Sequence, residues 1–378
     1  MMAQFAELTM DKSGLDYAAA GVDYSTLDAS KIFAQRAARA TARNLAAHGA
    51  FEIEASRGES AYLVDVGGTL IASITECLGT KALVADAVRT YSGRSHYDAI
   101  AQDTVAMAVN DLITVGATPL SVHAYWAAGG SEWFADRARM EDLVRGWAAA
   151  CAACGVAWGG GETPALSGVV AASRIDLAAS CVGVVKSRDR LMLGERLAAG
   201  DAIVLLGSSG IHANGISLAR KLVERLPDGY RTPIGDGRTF GEALLDPTLL
   251  YAPVTERLFA AGVRPHYAVN VTGHGWRKLM RHPAALRYVV REIPPVPPVL
   301  SFLAERGGIG AREAYGSLNM GAGFALFVAP DDVSATLRSA AETGVAAWQA
   351  GAVRAGAKSL VIEPLRLEYG ADDLQLRA

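Results

Sequence analysis

Short apolar runs punctuated by glycine fill most of the chain, and a few longer runs carry helical spacing. The stretch from Tyr97 to Gly116 is mostly apolar and stops at Gly116-Ala-Thr-Pro119. Glycine takes the left-handed turn that ends a helix, and proline cannot continue the hydrogen bonding. The pattern predicts a buried helix, yet one that carries Asp103, Asn110 and Asp111. Asp103 and Asn110 lie close to two full turns apart and share a face; Asp111 is rotated by roughly 80° from them. Carboxylates buried in a helix are costly unless paired, hydrogen-bonded or bound to a metal. Spacing alone leaves two readings open: capping, with Asp103 satisfying amides and Asp111 meeting a lysine, or a ligand site.

The same patterns place the other elements. Residues 1–30 read as irregular, and Ser30 to Ala47 as a helix with Lys31, Arg36, Arg39 and Arg43 along an exposed side. Ala61 to Val66 and Thr69 to Thr75 are apolar runs around Gly67-Gly68, a hairpin signal. Lys81 to Val88 fits strand or helix. Leu120 to Tyr125 predicts a strand, Arg137 to Cys154 a long helix stopped by Gly155, and Val156 to Trp158 a short strand running into Gly159-Gly-Gly-Glu-Thr163. Leu177 to Val185 is beta-like. Charged residues between 186 and 200 mark a boundary, dividing the chain into domains of residues 1–190 and 191–378. Beyond it come a strand from Ala202 to Leu206, a glycine-rich loop, a helix from Ile216 to Leu226 and a polar loop from Thr232 to Gly241. Pro294-Pro-Val-Pro-Pro298 fits a polyproline ligand or, better, a stiff link into the following helix. A strand from Phe324 to Val328 and a helix from Val333 to Thr343 close the pattern. Strands and helices are mixed in both halves, so the expected class is α+β with two domains.

Composition narrows the function. Hydrophobic residues make up 51% and charged residues 20% of 378 positions, enough for a large core and against disorder. A net charge of −3 provides no basic face for nucleic acid. The N-terminus lacks the pattern of a signal peptide, and the most apolar stretch, Trp147 to Trp158, is too short to span a bilayer. The expectation is a cytoplasmic protein that binds small molecules, without nucleic-acid or membrane partners. Cys151-Ala-Ala-Cys154 has redox spacing, but with Cys77 and Cys181 elsewhere no second pair completes a zinc site. The pair reads as core.

Three turns could carry chemistry. Gly207-Ser-Ser-Gly210-Ile-His212-Ala-Asn214-Gly215 follows a strand and opens a helix, so its amides and the helix N-terminus suit an anion. It matches neither the Walker A loop nor the dinucleotide fingerprint, and a structural turn is the alternative. His212 could act as acid or base, or be structural. Gly159-Gly-Gly-Glu162-Thr163 sets a carboxylate after a glycine turn, which suits magnesium or a helix cap. Glu76-Cys-Leu-Gly79-Thr80-Lys81 has an acid before the turn and a lysine after it.

In this order the motifs resemble the phosphoribosylformylglycinamidine cyclo-ligase, or AIR synthetase, family of purine biosynthesis. The likeness runs from about Ala20-Gly-Val-Asp23 to the strand after Asn319. The family's Asp-Gly-Val-Gly-Thr-Lys stands here as Glu76 to Lys81. Its Asp-Leu-Val-Ala-Met-Cys-Val-Asn-Asp-Leu is Asp103 to Leu112 with two substitutions. Its Gly-Gly-Glu-Thr is Gly160 to Thr163, and its Ser-Ser-Gly-x-His-Ser-Asn-Gly is Ser208 to Gly215. Thr272-Gly-His-Gly275 stands for Thr-Gly-Gly-Gly, and Asn319-Met-Gly-x-Gly323 matches too. The departures are Glu76 for Asp, Cys77-Leu78 for a glycine-valine pair, Ala165 for a family carboxylate, and His274. A family glycine-rich loop is not visible between His48 and Gly67.

The resemblance implies two α/β domains, N-terminal sheets joined across a homodimer, and an ATP- and magnesium-dependent ring closure through a phosphorylated amide. It implies Glu76, Asp103, Asp111 and Glu162 as metal ligands. It also implies Gly79, Thr80, Lys81, Asn110, Gly160, Gly161, Thr163, Ser208, Ser209 and Gly210 at ATP or phosphate. Lys81, His212 and Asn214 would be catalytic. Asp103→Asn is then expected to lower ATP turnover with the fold intact. The departures keep two rivals in view: a paralogous enzyme activating another amide or acid, and a catalytically weak nucleotide-binding subunit. The first cysteine is Cys77 and none follows Cys181, unlike selenophosphate synthetases and the hydrogenase maturation branch; thiamine-monophosphate kinases fit the Ser-Ser-Gly motif less well.

Overall fold

The computed structural model describes residues 14–15, 24–374 and 376. Most of the opening segment expected to be irregular lies outside these, and where description resumes, helix α1 (Tyr24–Thr41) is already formed. The first sheet comprises β1 (Ala50–Glu52), β2 (Tyr62–Val66), β3 (Thr69–Cys77), β4 (Thr118–Ala128), β5 (Ala157–Glu162) and β6 (Ile175–Val185). Their order is β1-β2-β3-β6-β4-β5, antiparallel except for β4 with β5. Gly67 and Gly68 both take positive φ, the backbone that closes a tight hairpin between β2 and β3.

Helices α2 (Lys81–Ser92), α3 (Tyr97–Leu112), α4 (Glu132–Ala135) and α5 (Arg137–Cys154) belong to this half. The ambiguous stretch after Thr80 is therefore helical. Gly116 ends the α3 region at φ 88°, and a Cβ there would collide with the Arg190 carbonyl. Only glycine fits. Residues on one face of the sheet, among them Leu70, Ala72, Val122, Leu177 and Cys181, are buried on the helix side. The opposite face, with Ile71, Thr75, His123 and Tyr125, is exposed among the described residues, which gives its strands the alternation of a half-buried sheet.

The second sheet comprises β7 (Ala202–Gly207), β8 (Tyr267–Asn270), β9 (Leu286–Val290), β10 (Ala322–Val328), β11 (Ala347–Ala355), β12 (Ser359–Ile362) and β13 (Leu367–Gly370). The order is β13-β12-β9-β11-β7-β10-β8, antiparallel except for β9 with β12. Its helices are α6 (Ile216–Val223), α7 (Phe240–Leu244), α8 (Ala252–Ala260), α9 (Pro298–Gly307), α10 (Ala311–Ser317) and α11 (Val333–Ala341). Every residue of β7, β8 and β10 is buried, so these strands read as continuous apolar runs rather than alternating ones. Pro298 opens α9, where a missing N–H costs nothing, so the proline run is a link into a helix. The chain continues past α11 into three strands that the apolar pattern did not predict. The α+β class, with sheets of mixed direction packed by helices, is the architecture observed. No described helix is long and apolar enough to cross a membrane.

Candidate functional site

A cleft of about 490 Å³ is lined from both halves of the chain, by Glu76, Asp111, Asn214, Thr272, His274 and Lys278 among others. Alternation along β3 turns Glu76 to the same face as Leu70 and Ala72, toward the helices. There it meets Asp111 near the end of α3. Burial, and then the neighbouring Asp111 charge, pushes the Glu76 carboxyl up to about 7. Asp111 Oδ1 accepts a hydrogen bond from Asn270 Nδ2 at 2.7 Å, at the end of β8.

Lys278 closes the group from the second half. Its Nζ donates to Thr272 Oγ1 and to the Asn270 carbonyl at 3.3 Å. Burial pulls this ammonium down to about 8, with the Asp111 charge opposing. His274 sits at φ 69°, and burial lowers its imidazole to about 4 against the pull of Asp28. The neutral ring must donate from Nε2 to Asp28 Oδ2 at 2.8 Å, since a carboxylate only accepts. This contact ties α1 to the cleft, where Lys31 and Gln35 join the lining.

The face of α3 that carries Asp103 and Asn110 is different. Asp103 Oδ2 lies 2.8 Å from Lys81 Nζ, and both side chains are fully buried. Asp103 Oδ1 accepts from the Thr248 amide at 2.8 Å and from its hydroxyl at 2.5 Å. Lys81 Nζ also donates to the Asp246 carbonyl at 2.8 Å. Asn110 donates to the Leu249 carbonyl at 2.8 Å and accepts from the Tyr251 amide at 3.0 Å, while Gln102 donates to the Thr248 carbonyl at 2.9 Å. These residues grip one strap of the second half, 246–251. Their backbone-satisfying role matches the capping alternative for Asp103.

The four expected carboxylates therefore do not converge within one chain. Glu76 and Asp111 meet; Asp103 is spent on Lys81 and Thr248. Glu162 is exposed on β5, in a row with Tyr125, Ala178 and Cys77. Three strand spacings, roughly 14 Å, separate it from β3. Among the described residues, no group of three or more His, Cys, Asp or Glu side chains is placed to hold a metal ion.

The expected phosphate residues also divide. Gly160, Gly161 and Thr163 lie with Glu162 at the exposed edge of the sheet. Gly79 and Thr80 form the turn before α2, with Thr80 Oγ1 3.4 Å from Ser217 Oγ of α6. In the Ser208–Gly210 loop both hydroxyls and the two serine amides are already used. The Ser208 amide bonds the Gly321 carbonyl and the Ser209 amide donates to His212 Nε2 at 3.3 Å. Ser208 Oγ donates to Asn319 Oδ1, and Ser209 Oγ to the Pro247 carbonyl. His212 is buried, and burial followed by the Lys81 charge lowers it to about 3. It orders this loop as a neutral acceptor. Asn214 reaches the cleft, donating to Met107 Sδ at 3.7 Å. Sequence reasoning missed Asn270 and Lys278, since nothing in Trp276-Arg-Lys-Leu-Met280 sets Lys278 apart from the adjacent Arg277.

Comparison with known proteins fits this geometry to a family. Residues 58–185 match the N-terminal domain of AIR synthase related proteins and residues 198–363 the C-terminal domain. A phosphoribosylformylglycinamidine cyclo-ligase of Symbiobacterium thermophilum is 35% identical, covering 92% of this chain and 97% of its own. One of Myxococcus xanthus is 38% identical, covering 77% and 83%. The solved HypE–HypF complex shares the fold, with a TM-score of 0.57 at 18% identity, covering 83% of this chain and 93% of that one. Matched through both domains and along nearly the whole of a curated relative, the chain belongs to the AIR synthase related family.

Proposed function

We propose that this protein is an ATP-dependent cyclo-ligase that converts formylglycinamidine ribonucleotide to aminoimidazole ribonucleotide. The observation that carries the reading is the likeness to cyclo-ligases over 97% of the Symbiobacterium relative's length. The cleft supports it chemically. An amide oxygen is a poor leaving group, and transfer of a phosphoryl group from ATP makes it a good one. The amidine nitrogen then attacks the same carbon and phosphate departs. Such a reaction needs the charge of several phosphates balanced in a site that excludes water.

Lys31, Arg57, Lys278 and Arg281 line the cleft as cations; Glu59 pairs with Arg281, and Glu76 with Asp111 form an anion pair. The anion pair fits magnesium: two carboxylates held together at one place carry charge that a divalent ion relieves, and magnesium accepts one or two carboxylates beside phosphate oxygens. Bound there, it would neutralise charge on the transferring phosphoryl group. Asn214 would orient substrate from the opposite wall. The exposed sheet face, with Val66, Ile71 and Tyr125, supports a homodimer built sheet to sheet. We assign residues 1–190 to ATP binding and dimerisation, 191–378 to the second domain, and the cytoplasm as the place of action.

The test is to incubate purified protein with ATP, magnesium and formylglycinamidine ribonucleotide, and to follow ADP and aminoimidazole ribonucleotide together. ADP release without ring closure would move the assignment to a paralogous reaction. Sedimentation as a monomer at micromolar concentration would remove the dimer.

A further inference from the structure

Lys278 is a buried cation from the second half of the chain, and it lines the same cleft as two carboxylates from the first, Glu76 and Asp111. Its Nζ is anchored by Thr272 Oγ1 and the Asn270 carbonyl, and the Asn270 side chain donates to Asp111 at 2.7 Å. One short network thus fixes the ammonium and one carboxylate together. The other cations of the cleft are committed or wet. Arg57 pairs with Glu52, Arg281 donates to the Gly58 carbonyl and Ser60 Oγ, and Lys31 is largely exposed beside Asp28. Among the described residues, Lys278 is therefore the positive charge built in beside Glu76 and Asp111. Two carboxylates and one ammonium leave one net negative charge, which matches one hydrated divalent ion far better than two.

We propose that Lys278, by its fixed positive charge beside them, limits the Glu76–Asp111 pair to one divalent cation per chain. Lys278 is a positioning residue here, acting on the ion through the carboxylates it faces. The proposal rests on the metal assignment made above, and its test is independent of turnover.

Manganese titration of the full chain without nucleotide, read by electron paramagnetic resonance, is expected to show one bound ion. Lys278→Met removes the opposing charge and should tighten manganese binding about tenfold, the factor that one pKa unit of charge interaction corresponds to. Lys278→Arg should keep the wild-type affinity. Thr272→Ala loosens one anchor without stranding a charge, and should tighten binding by about threefold. It serves if Lys278→Met fails to fold. Two ions in the wild type, no binding at all, or weaker binding in both neutralising and loosening variants would overturn the proposal. A lysine that only props up the fold would give that last result. One bound ion with no ring closure would keep the proposal and discard the cyclo-ligase substrate.

Discussion

The two ends of α3 carry the same group in opposite circumstances. Asp103 is matched by a buried lysine at Oδ2 and by two donors of Thr248 at Oδ1, so its charge is balanced within the fold. Asp111 accepts from Asn270 and stands beside a second carboxylate at the wall of a cleft. Burial alone does not separate them, because both are buried. What separates them is how completely the neighbours balance the charge. Asp103 has a lysine of its own and locks two parts of the chain together, whereas Asp111 and Glu76 share the single Lys278 and leave charge for a ligand to neutralise.

Breaking the structural end should have the largest effect. Asp103→Asn strands Lys81 and is expected to cost about 3–5 kcal/mol of stability in urea unfolding, whereas removing both partners should cost less than either alone. The expectation of an intact fold with lowered turnover is thereby replaced. A loss under about 1 kcal/mol would put Asp103 back among ligand-binding groups. At the other end, Glu76 holds its proton more tightly folded than unfolded. Its contribution is full below 4.5 and is lost as pH rises toward about 7, by up to about 3 kcal/mol. His212 and His274, lowered to about 3 and about 4, slope the other way below 6.5. The difference between wild type and Glu76→Gln isolates the carboxyl, and identical pH profiles would deny the like-charge pairing.

Asp111→Asn should leave stability within about 1 kcal/mol while magnesium-dependent turnover falls on the order of a hundredfold. Equal losses in both would make the two ends of α3 alike. The smallest effect is expected from His274→Gly, which restores the family's residue. Relief of the positive φ offsets loss of the Asp28 contact, so stability should shift by about 1 kcal/mol or less. Faster amide exchange in α1 is the readout that shows His274 holding that helix.

Much of the fold was legible. Arg137–Cys154 is helical over its whole expected span because its apolar spacing and Gly155 agree, and β2 and β3 flank Gly67-Gly68 as expected. β8 and β9 were missed, being four- and five-residue strands whose pairing partners lie far along the chain. The Ser208–Gly210 loop had the composition of an anion cradle, but its hydroxyls and the Ser208 and Ser209 amides turn inward to Gly321, Asn319, His212 and Pro247. Composition cannot show which direction a donor faces.

The sequence by itself determined that α3 is a buried helix with polar groups at Asp103, Asn110 and Asp111, and that its motifs belong to a family. It could not assign their work. Asp103 of α3 meets Lys81 at the start of α2, while their remaining partners arrive from residues 246–248. Asp111 meets Glu76 from β3, with Asn270 and Lys278 arriving from the second half. Helical periodicity is local and survives in one dimension. The charge of a neighbour more than a hundred residues away exists only once the chain is folded.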